Sequence, residues 1–257
     1  MRVIGKVVVI TGAGSGIGAG LARRFSREGA AALIVADIDL EAATRVAEEI
    51  DGHAMRVDVA DGDSNRRLIV DVETAFGPID LFCANAGIAH EGDEQSSDQD
   101  WEHMLGINFR SHVFAARHLI PRWLDRGAGY LLVTASAAGL LTNLGAAQYT
   151  VTKHAAVAFA EWLAITYGDR GIKVSCLCPQ GVRTPMLEQA GVVSGLLGES
   201  ALSTEEVAEA VVEGLELERF LILPHPEVAD FILRKAGDRD AWITGMRRLQ
   251  ARLGLSK

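Results

Sequence analysis

A tyrosine and a lysine four residues apart, Tyr149 and Lys153, stand in a segment predicted to be helical, AQYTVTKHAAVAFAEWLAITYG. That spacing puts both side chains on one face of a helix. A free tyrosine has a pKa near 10, which is too high for a base at neutral pH, and a neighbouring ammonium group favours the phenolate. The pair therefore suits general acid–base chemistry. The alternative is a helix that merely exposes a tyrosine and a lysine.

A serine thirteen residues before the tyrosine favours the chemical interpretation. Ser136 closes the apolar run GYLLVTAS, which is predicted to be a strand. In parallel sheets the groups that bind ligands converge at the carboxyl ends of the strands. We therefore expect Ser136, Tyr149 and Lys153 to lie around one site.

A glycine-rich turn, TGAGSGIG from Thr11 to Gly18, follows the first predicted strand, VVVI, and opens a helix. Glycines there permit positive φ and let backbone N–H groups approach a ligand closely. The partial positive charge of a helix N-terminus suits a pyrophosphate. The spacing fits Thr-Gly-x-x-x-Gly-x-Gly better than the GxGxxG fingerprint. A tight turn with no ligand is the alternative.

An aspartate at the end of the second predicted strand, Asp37 in ALIVAD, is placed to accept hydrogen bonds from an adenosine ribose. Its charge would repel a 2′-phosphate, Ile38 follows it, and the glycine turn contains no Arg or Lys. These features favour NAD over NADP. Alternatively, Asp37 caps the helix LEAATRVAEEI, a task that Asp39 would perform equally well.

Short apolar runs alternate with longer amphipathic segments, which predicts a doubly wound α/β fold: a parallel sheet with helices on both faces. Pro121 is expected to kink a long helix or mark its last turn, and Ser203 or Thr204 to cap a later one. The chain from Pro226 is expected to form one or two polar helices. We predict one domain, 1–257, with a helical tail from about 226 to 257. The predicted strands are VVVI, ALIVAD, HAMRVDV, IDLFCANAG, GYLLVTAS, IKVSCLCP and FLILP.

The composition bounds the location and the partners. A formal net charge of −9 argues against nucleic acid or an anionic membrane as a partner. No apolar run approaches the roughly 20 residues that span a bilayer, so a cytoplasmic location is expected. Cys83, Cys176 and Cys178 fit reduced, buried thiols better than a disulfide or a metal site.

Several motifs in fixed order make the chain resemble the short-chain dehydrogenase/reductase family, in its single-domain subgroup, from about Gly5 to Pro224. These motifs are TGAGSGIG, Asp58 in VDV, NAG at 85–87, Asn108, Ser136 and YTVTK at 149–153. The resemblance implies a Rossmann-type sheet of about seven strands. It also implies an oxidoreductase that uses a nicotinamide cofactor.

The resemblance also implies roles for individual residues. Tyr149 would exchange a proton with the substrate oxygen, and Ser136 would orient that oxygen. Lys153 would bind the nicotinamide ribose and lower the pKa of Tyr149, while Asn108 would hold a water that links Lys153 to solvent. The further cofactor contacts implied are Thr11, Gly12, Gly14, Ser15, Gly16, Ile17, Gly18, Asp37, Ile38, Asp58, Val59, Asn85, Ala86, Gly87, Pro179 and Thr184, of which Asn85 is either a cleft residue or mainly structural.

The segment after the sixth strand departs from the family pattern, because Gln180 stands where glycine is usual. That leaves the local turn open, and Gln180 and Leu187 are expected substrate contacts. The following PMLEQAGVVSGLLGES suits an apolar lid hinged by glycines, or equally a helix packed into the core. The segment that follows Ser136 and the expected lid are both apolar, which favours an apolar substrate. The apolar residues after Ser136 are Ala137, Ala138, Leu140, Leu141 and Leu144.

The most economical function is an NAD-dependent enzyme that interconverts an apolar secondary alcohol and its ketone. An NADP-dependent carbonyl reductase, an enoyl or imine reductase, and a non-catalytic nucleotide-binding regulator remain alternatives. The expected partner is a small-molecule substrate. A homodimer or homotetramer is expected through the helices that contain Trp101 to Trp123 and Tyr149 to Tyr167, which resemble the family's assembly helices.

Overall fold

The computed structural model describes residues 1–188, 198 and 200–255. Its strands are β1 Val7–Thr11, β2 Ala32–Asp37, β3 His53–Arg56, β4 Leu81–Ala84, β5 Gly129–Thr134, β6 Ile172–Leu177 and β7 Leu221–Ile222. They form one parallel sheet in the order β3-β2-β1-β4-β5-β6-β7. The strand order reverses between β1 and β4, and doubly wound sheets open a ligand crevice at such a point.

Helices connect the strands. They are α1 Gly16–Arg27, α2 Leu40–Ile50, α3 Gly62–Phe76, α4 Asp98–Leu105, α5 Ser111–Arg126, α6 Ala147–Tyr167, α7 Pro185–Glu188, α8 Thr204–Glu216, α9 Glu227–Gly237 and α10 Arg239–Arg252. A π-helical turn, Gly106–Arg110, joins α4 to α5.

Alternate side chains of each strand point to opposite sides of the sheet, and helices cover both sides, so the sheet is buried on both faces. Val9 belongs to the core layer under α3, α5 and α6, where Leu119 is fully buried. Val8 belongs to the layer under α1, α2 and α8, with Leu21 and Val211. The predicted doubly wound α/β class is therefore confirmed.

Some predicted boundaries were wrong. The runs HAMRVDV and IDLFCANAG leave the sheet after Arg56 and Ala84, because the residues that follow turn to line a cavity. The long helix predicted through Pro121 is divided by the π-helical turn, and α5 continues past the proline to Arg126. Ser203, not Thr204, caps α8, in a reciprocal capping box with Glu206.

The tail forms two helices, and the expectation that both are polar was wrong for α9. Val228 is fully buried, and Phe231 and Ile232 pack beside it against Ala137 and Leu141. Residues spaced three and four apart share one face of a helix, so α9 presents an apolar stripe to the segment after β5.

The remaining sequence expectations concern cysteines and membranes. All three cysteines are buried free thiols, and burial raises the pKa of Cys83. Within the described residues, no group of side chains is arranged to hold a metal ion. The helices in this part of the chain are all too short or too polar to cross a bilayer.

Candidate active site

A cavity of about 470 Å³ lies at the carboxyl ends of the central strands, beside the N-terminus of α1. Most of the residues singled out in the sequence line it. They are Gly12, Ser15, Gly16, Ile17, Asp37, Ile38, Asp58, Val59, Asn85, Ala86, Gly87, Ser136, Tyr149, Lys153, Pro179, Gln180, Thr184 and Leu187.

Four predicted residues, Thr11, Gly14, Gly18 and Asn108, do not line the cavity, but each contacts a residue that does. The hydroxyl of Thr11 accepts hydrogen bonds from the backbone N–H groups of Asn85 and Ala86, at 3.1 and 3.2 Å. This threonine therefore ties the start of the glycine turn to the end of β4.

The glycine turn requires glycine on steric grounds at several positions. Gly12 has a φ of +64°, and a Cβ there would lie 2.7 Å from the Cα of Ala86. Asn85 holds the same turn by donating to the carbonyl oxygens of Thr11 and Gly12, at 3.0 and 3.3 Å. Asn85 thus lines the cavity and also holds the glycine turn, while its contact with a cofactor stays a prediction.

The N-terminus of α1 is suited to an anion. The N-cap residue of α1 is Ser15, whose side chain makes no capping hydrogen bond within the described residues. The first turn of this helix contains no acidic residue. The first N–H groups of a helix have no partner within the helix and carry partial positive charge. A pyrophosphate fits this end of the cavity.

Asp37 faces the rim of the cavity and does not cap the next helix. One oxygen accepts from the backbone N–H of Gly14 at 2.9 Å, and the other accepts from that of Asp39 at 3.0 Å. The cap of α2 is Asp39, whose carboxylate accepts from the N–H of Ala42. The structure therefore decides the open alternative: Asp39 caps, and Asp37 lines the cavity.

The three side chains expected to perform chemistry meet on the opposite wall. Tyr149 and Lys153 lie one turn apart on α6, and the ammonium nitrogen is 5.7 Å from the centre of the phenol ring. The Lys153 Nζ donates to the carbonyl oxygen of Thr134, at the end of β5, at 3.0 Å. Ser136 lies two residues further along the same segment.

Burial has the largest effect on the pKa values of Lys153 and Tyr149. It lowers the pKa of Lys153 to about 8, because the charged ammonium loses water. It raises the pKa of Tyr149, while a hydrogen bond with Ser136 acts in the opposite direction. The sequence predicts that Lys153 lowers the pKa of Tyr149; the net direction in the structure is upward, because desolvation of the phenolate is the largest effect.

Asn108 lies in the π-helical turn and is fully buried. Its side-chain oxygen accepts from the N–H of Ile88, and its side-chain nitrogen donates to the carbonyl oxygen of Ile88, both at 2.9 Å. A Cβ on Gly87 would lie 3.3 Å from both the Asn108 Oδ1 and the Lys153 Nζ. The amide thus fixes the loop after β4 directly beside the lysine.

The segment after β6 closes the cavity over the glycine turn. A Cβ on Gly16 would be 3.3 Å from the Cγ2 of Thr184, which places this threonine above the start of α1. Met186 and Leu187, in α7, line the cavity. The other apolar residues of the expected lid, Val192, Val193, Leu196 and Leu197, lie outside the described residues.

Sequence reasoning missed part of this wall. Ile88, Ala89, Thr142 and Asn143 line the cavity but follow no periodic pattern, because they stand in loops after β4 and β5. His225 was also missed, since it lies 45 residues after its hydrogen-bond partner, Gln180.

Comparisons with known proteins agree with this architecture. The family model for short chain dehydrogenases matches residues 6–192. A 1-deoxy-11-beta-hydroxypentalenate dehydrogenase from Streptomyces exfoliatus is 35% identical over 246 residues, covering 92% of this chain and 88% of that protein. A meso-2,3-butanediol dehydrogenase from Serratia marcescens is 37% identical over 190 residues, covering 72% of this chain and 75% of that protein.

A solved structure is similar over nearly the whole chain. A short chain dehydrogenase/reductase from Burkholderia phymatum, crystallised in complex with NAD, aligns with a TM-score of 0.86 at 28% identity. The alignment covers 94% of this chain and 96% of that one. With the seven-stranded sheet and the matched family model, these similarities show that the chain belongs to the short-chain dehydrogenase/reductase family of oxidoreductases.

Proposed function

We propose that this oxidoreductase is an NAD-dependent dehydrogenase that interconverts an apolar secondary alcohol and its ketone. One observation carries the proposal: Ser136, Tyr149 and Lys153 line the same cavity as the glycine turn and Asp37. A phenol, a hydroxyl and an ammonium group thus lie where the reacting end of a dinucleotide would reach from the N-terminus of α1.

The residues present fit a dinucleotide. The free N–H groups at the start of α1 would hold the pyrophosphate, Asp37 the adenosine ribose, and Asp58 with Val59 the adenine. Lys153 would hold the nicotinamide ribose, and Thr184 the carboxamide. When bound, the nicotinamide accepts a hydride from an alcohol or gives one to a ketone.

The chain supplies the proton chemistry. In alcohol oxidation the phenolate oxygen of Tyr149 takes the hydroxyl proton, and in ketone reduction the phenol returns it. Ser136 positions the substrate oxygen beside that phenol. The cationic form of Lys153 favours the phenolate, and so would the positive charge of an oxidised nicotinamide, which together oppose the desolvation that raises the pKa of Tyr149.

The substrate end of the cavity favours an apolar molecule. Ala89, Ala138, Leu141, Met186 and Leu187 contribute to its wall. Arg183, the residue before Thr184, contacts Glu206 and the backbone of Ala201 and does not line the cavity. Neutral secondary alcohols are therefore the substrate class to test.

The experiment uses a panel of neutral secondary alcohols, including cyclohexanol and 2,3-butanediol, with NAD and with NADP, followed by absorbance of the reduced cofactor. Tyr149→Phe should remove turnover by at least about a hundredfold and leave NAD binding unchanged. Tyr167→Phe, at the other end of α6, is the matched control and should keep normal rates. Near-normal turnover by Tyr149→Phe would contradict the mechanism.

Two alternatives predict different results. An NADP-dependent reductase would prefer NADP despite the charge of Asp37. A nucleotide-binding regulator would bind NAD and turn over none of the alcohols, with wild type and Tyr149→Phe alike.

We also propose a homo-oligomer. On α6 the side chains of Trp162 and Ile165 are 53% and 77% exposed, and Val151 is 48% exposed. Phe159 stacks on Trp162, which extends this apolar surface. Light scattering should report a dimer or tetramer, and Ile165→Glu should shift it toward the monomer.

A further inference from the structure

The peptide unit between Pro179 and Gln180 lies between the candidate catalytic serine and a buried histidine. Its carbonyl oxygen, on Pro179, accepts from the backbone N–H of Ala137 at 2.8 Å and from the Ser136 hydroxyl at 3.4 Å. Its N–H, on Gln180, donates to the Nδ1 of His225 at 3.2 Å. One rigid plane therefore connects His225 to Ser136.

The hydrogen bond fixes the state of the histidine ring. His225 is 3% exposed, and a backbone N–H is only a donor, so Nδ1 must be the unprotonated acceptor. The ring proton then lies on Nε2, which has no hydrogen-bond partner among the described residues. A buried ring with one satisfied nitrogen indicates that the bond to Gln180 is the polar contact that holds it.

Among the described residues, His225 is the partner that holds the N–H side of this peptide plane, while Ala137 and Ser136 contact its carbonyl side. Gln180 lies three residues after the end of β6, in an irregular segment where no strand of the described chain pairs with its N–H. Without an acceptor the N–H of Gln180 would be unpaired, and rotating the plane to find another partner would move the carbonyl oxygen of Pro179. The contacts of that oxygen to Ser136 and Ala137 would then change.

We propose that His225 is a positioning residue for Ser136: by accepting from Gln180, it orients the Pro179–Gln180 peptide whose carbonyl holds the serine hydroxyl. This inference rests on the proposed role of Ser136. His225 also stands directly before the tail, two residues ahead of α9, so this hydrogen bond connects the start of the tail to the segment that contacts Ser136.

The kinetic test compares two substitutions of similar size in the full-length enzyme. His225→Leu removes the acceptor, whereas His225→Asn offers an amide oxygen in nearly the place of Nδ1. With NAD and the best alcohol of the panel, His225→Leu should lower kcat by roughly tenfold to a hundredfold, as a misplaced catalytic group does, and leave the Kd for NAD within about twofold. His225→Asn should recover most of the loss.

Three results would overturn the inference. Normal kcat in His225→Leu would show that the acceptor is not needed. Equal loss in the Leu and Asn variants would show that hydrogen bonding at this position is not the cause. A weakening of NAD binding as large as the fall in kcat would indicate a general disturbance of the cavity.

A measurement on the unmodified protein keeps the inference testable if His225→Leu does not fold or if the wild type turns over no alcohol. In ¹⁵N-labelled protein, long-range ¹H–¹⁵N spectra distinguish a protonated from an unprotonated ring nitrogen. We expect the signals of His225, assigned by their loss in His225→Asn, to show an unprotonated Nδ1 and a proton on Nε2. An Nδ1–H form would overturn the inference, whereas an inactive panel with the Nε2–H form would reject the proposed function alone.

Discussion

The carboxylate of Asp37 accepts a hydrogen bond from the backbone N–H of Gly14 at 2.9 Å, which joins the end of β2 to the glycine turn. A Cβ on Gly14 would lie 3.1 Å from the same carboxylate oxygen. The negative charge is thereby held at the rim of the cavity, beside Ile38. In the proposed function, the adenosine ribose binds at this place, where the charge would repel a phosphate on the ribose.

Replacing this charge should change the nucleotide preference. In the double variant Asp37→Ser/Ile38→Arg, the repulsion is removed and a guanidinium group is added, which suits a phosphate. We expect the ratio of the Kd values for NAD and NADP to shift toward NADP by at least about tenfold, the equivalent of ~1.4 kcal/mol. Calorimetric titration with NAD and with NADP measures this ratio.

Asp39→Ala is the matched control, because Asp39 caps α2 and is two residues away. It should lower the free energy of unfolding by about 1 kcal/mol and leave the nucleotide ratio unchanged. A ratio that moves as much in Asp39→Ala as in the double variant would show that the preference depends on the shape of the loop rather than on the charge of Asp37.

A second prediction concerns the buried Lys153. Its pKa is lowered to about 8 in the folded protein, from an ordinary value of 10.5. Between these values the unfolded chain binds a proton that the folded chain has lost, so stability rises with pH. Relative to Lys153→Met, the wild type should gain free energy of unfolding between pH 8 and 10, by at most about 1.4 kcal/mol per pH unit.

Urea unfolding of both proteins at pH 7, 8, 9 and 10 tests this expectation. Below pH 8 the difference between them should be constant, because both states of the wild type then carry the proton. A constant difference across the whole range would mean that the ammonium is not desolvated in the folded protein.

The fold could be predicted from the sequence because its signals lie within short segments of the chain. Runs such as Val7–Ile10 are apolar throughout, as strands buried on both faces must be, and each is followed by an amphipathic segment. The glycine turn was accessible for a similar reason, since Gly12 and Gly16 do adopt the positive φ that their residue type suggested. The choice between Asp37 and Asp39 as the helix cap was not, because they stand only two residues apart between the end of β2 and the start of α2.

Contacts between distant segments were beyond sequence reasoning. Nothing near His225 indicates that its ring meets Gln180, because loop geometry rather than a periodic pattern brings them together. The apolar stripe of α9 is a different case. Val228, Phe231 and Ile232 have helical spacing and could have been recognised, but not their packing against the segment after Ser136.

That packing leads to a third prediction, at Lys235 in α9. Its ammonium donates to the carbonyl oxygens of Leu140 and Leu141, at 2.7 and 2.8 Å, and the Leu141 side chain lines the cavity. Lys235→Met should raise the KM for an apolar alcohol by roughly threefold to tenfold, because two charge-assisted bonds that fix this wall are lost, each worth about 1.5–3 kcal/mol. NAD binding should be unchanged.

Steady-state kinetics on Lys235→Met and on Lys173→Met separate this effect from the loss of any lysine. Lys173 lies on β6 and pairs with Glu218 at the surface, so its replacement should leave the KM for the alcohol unaltered. An unchanged KM in Lys235→Met would show that the contact of α9 with Leu140 and Leu141 does not affect substrate binding.

The last prediction compares the effect of adding a methyl group to two glycines, both of which lie in helices. A Cβ on Gly18 would overlap the carbonyl oxygen of Gly12 and lie 2.7 Å from the Asn85 Nδ2, whereas a Cβ on Gly245 in α10 would meet nothing within 4 Å. Gly18→Ala should therefore displace the glycine turn and weaken NAD binding by roughly tenfold or more, since the shift is against backbone. Gly245→Ala should bind NAD normally and gain about 0.5–1 kcal/mol in free energy of unfolding. Calorimetric titration and urea unfolding measure both quantities, and normal NAD binding by a folded Gly18→Ala would show that the close packing of α1 on the turn is unnecessary for the nucleotide site.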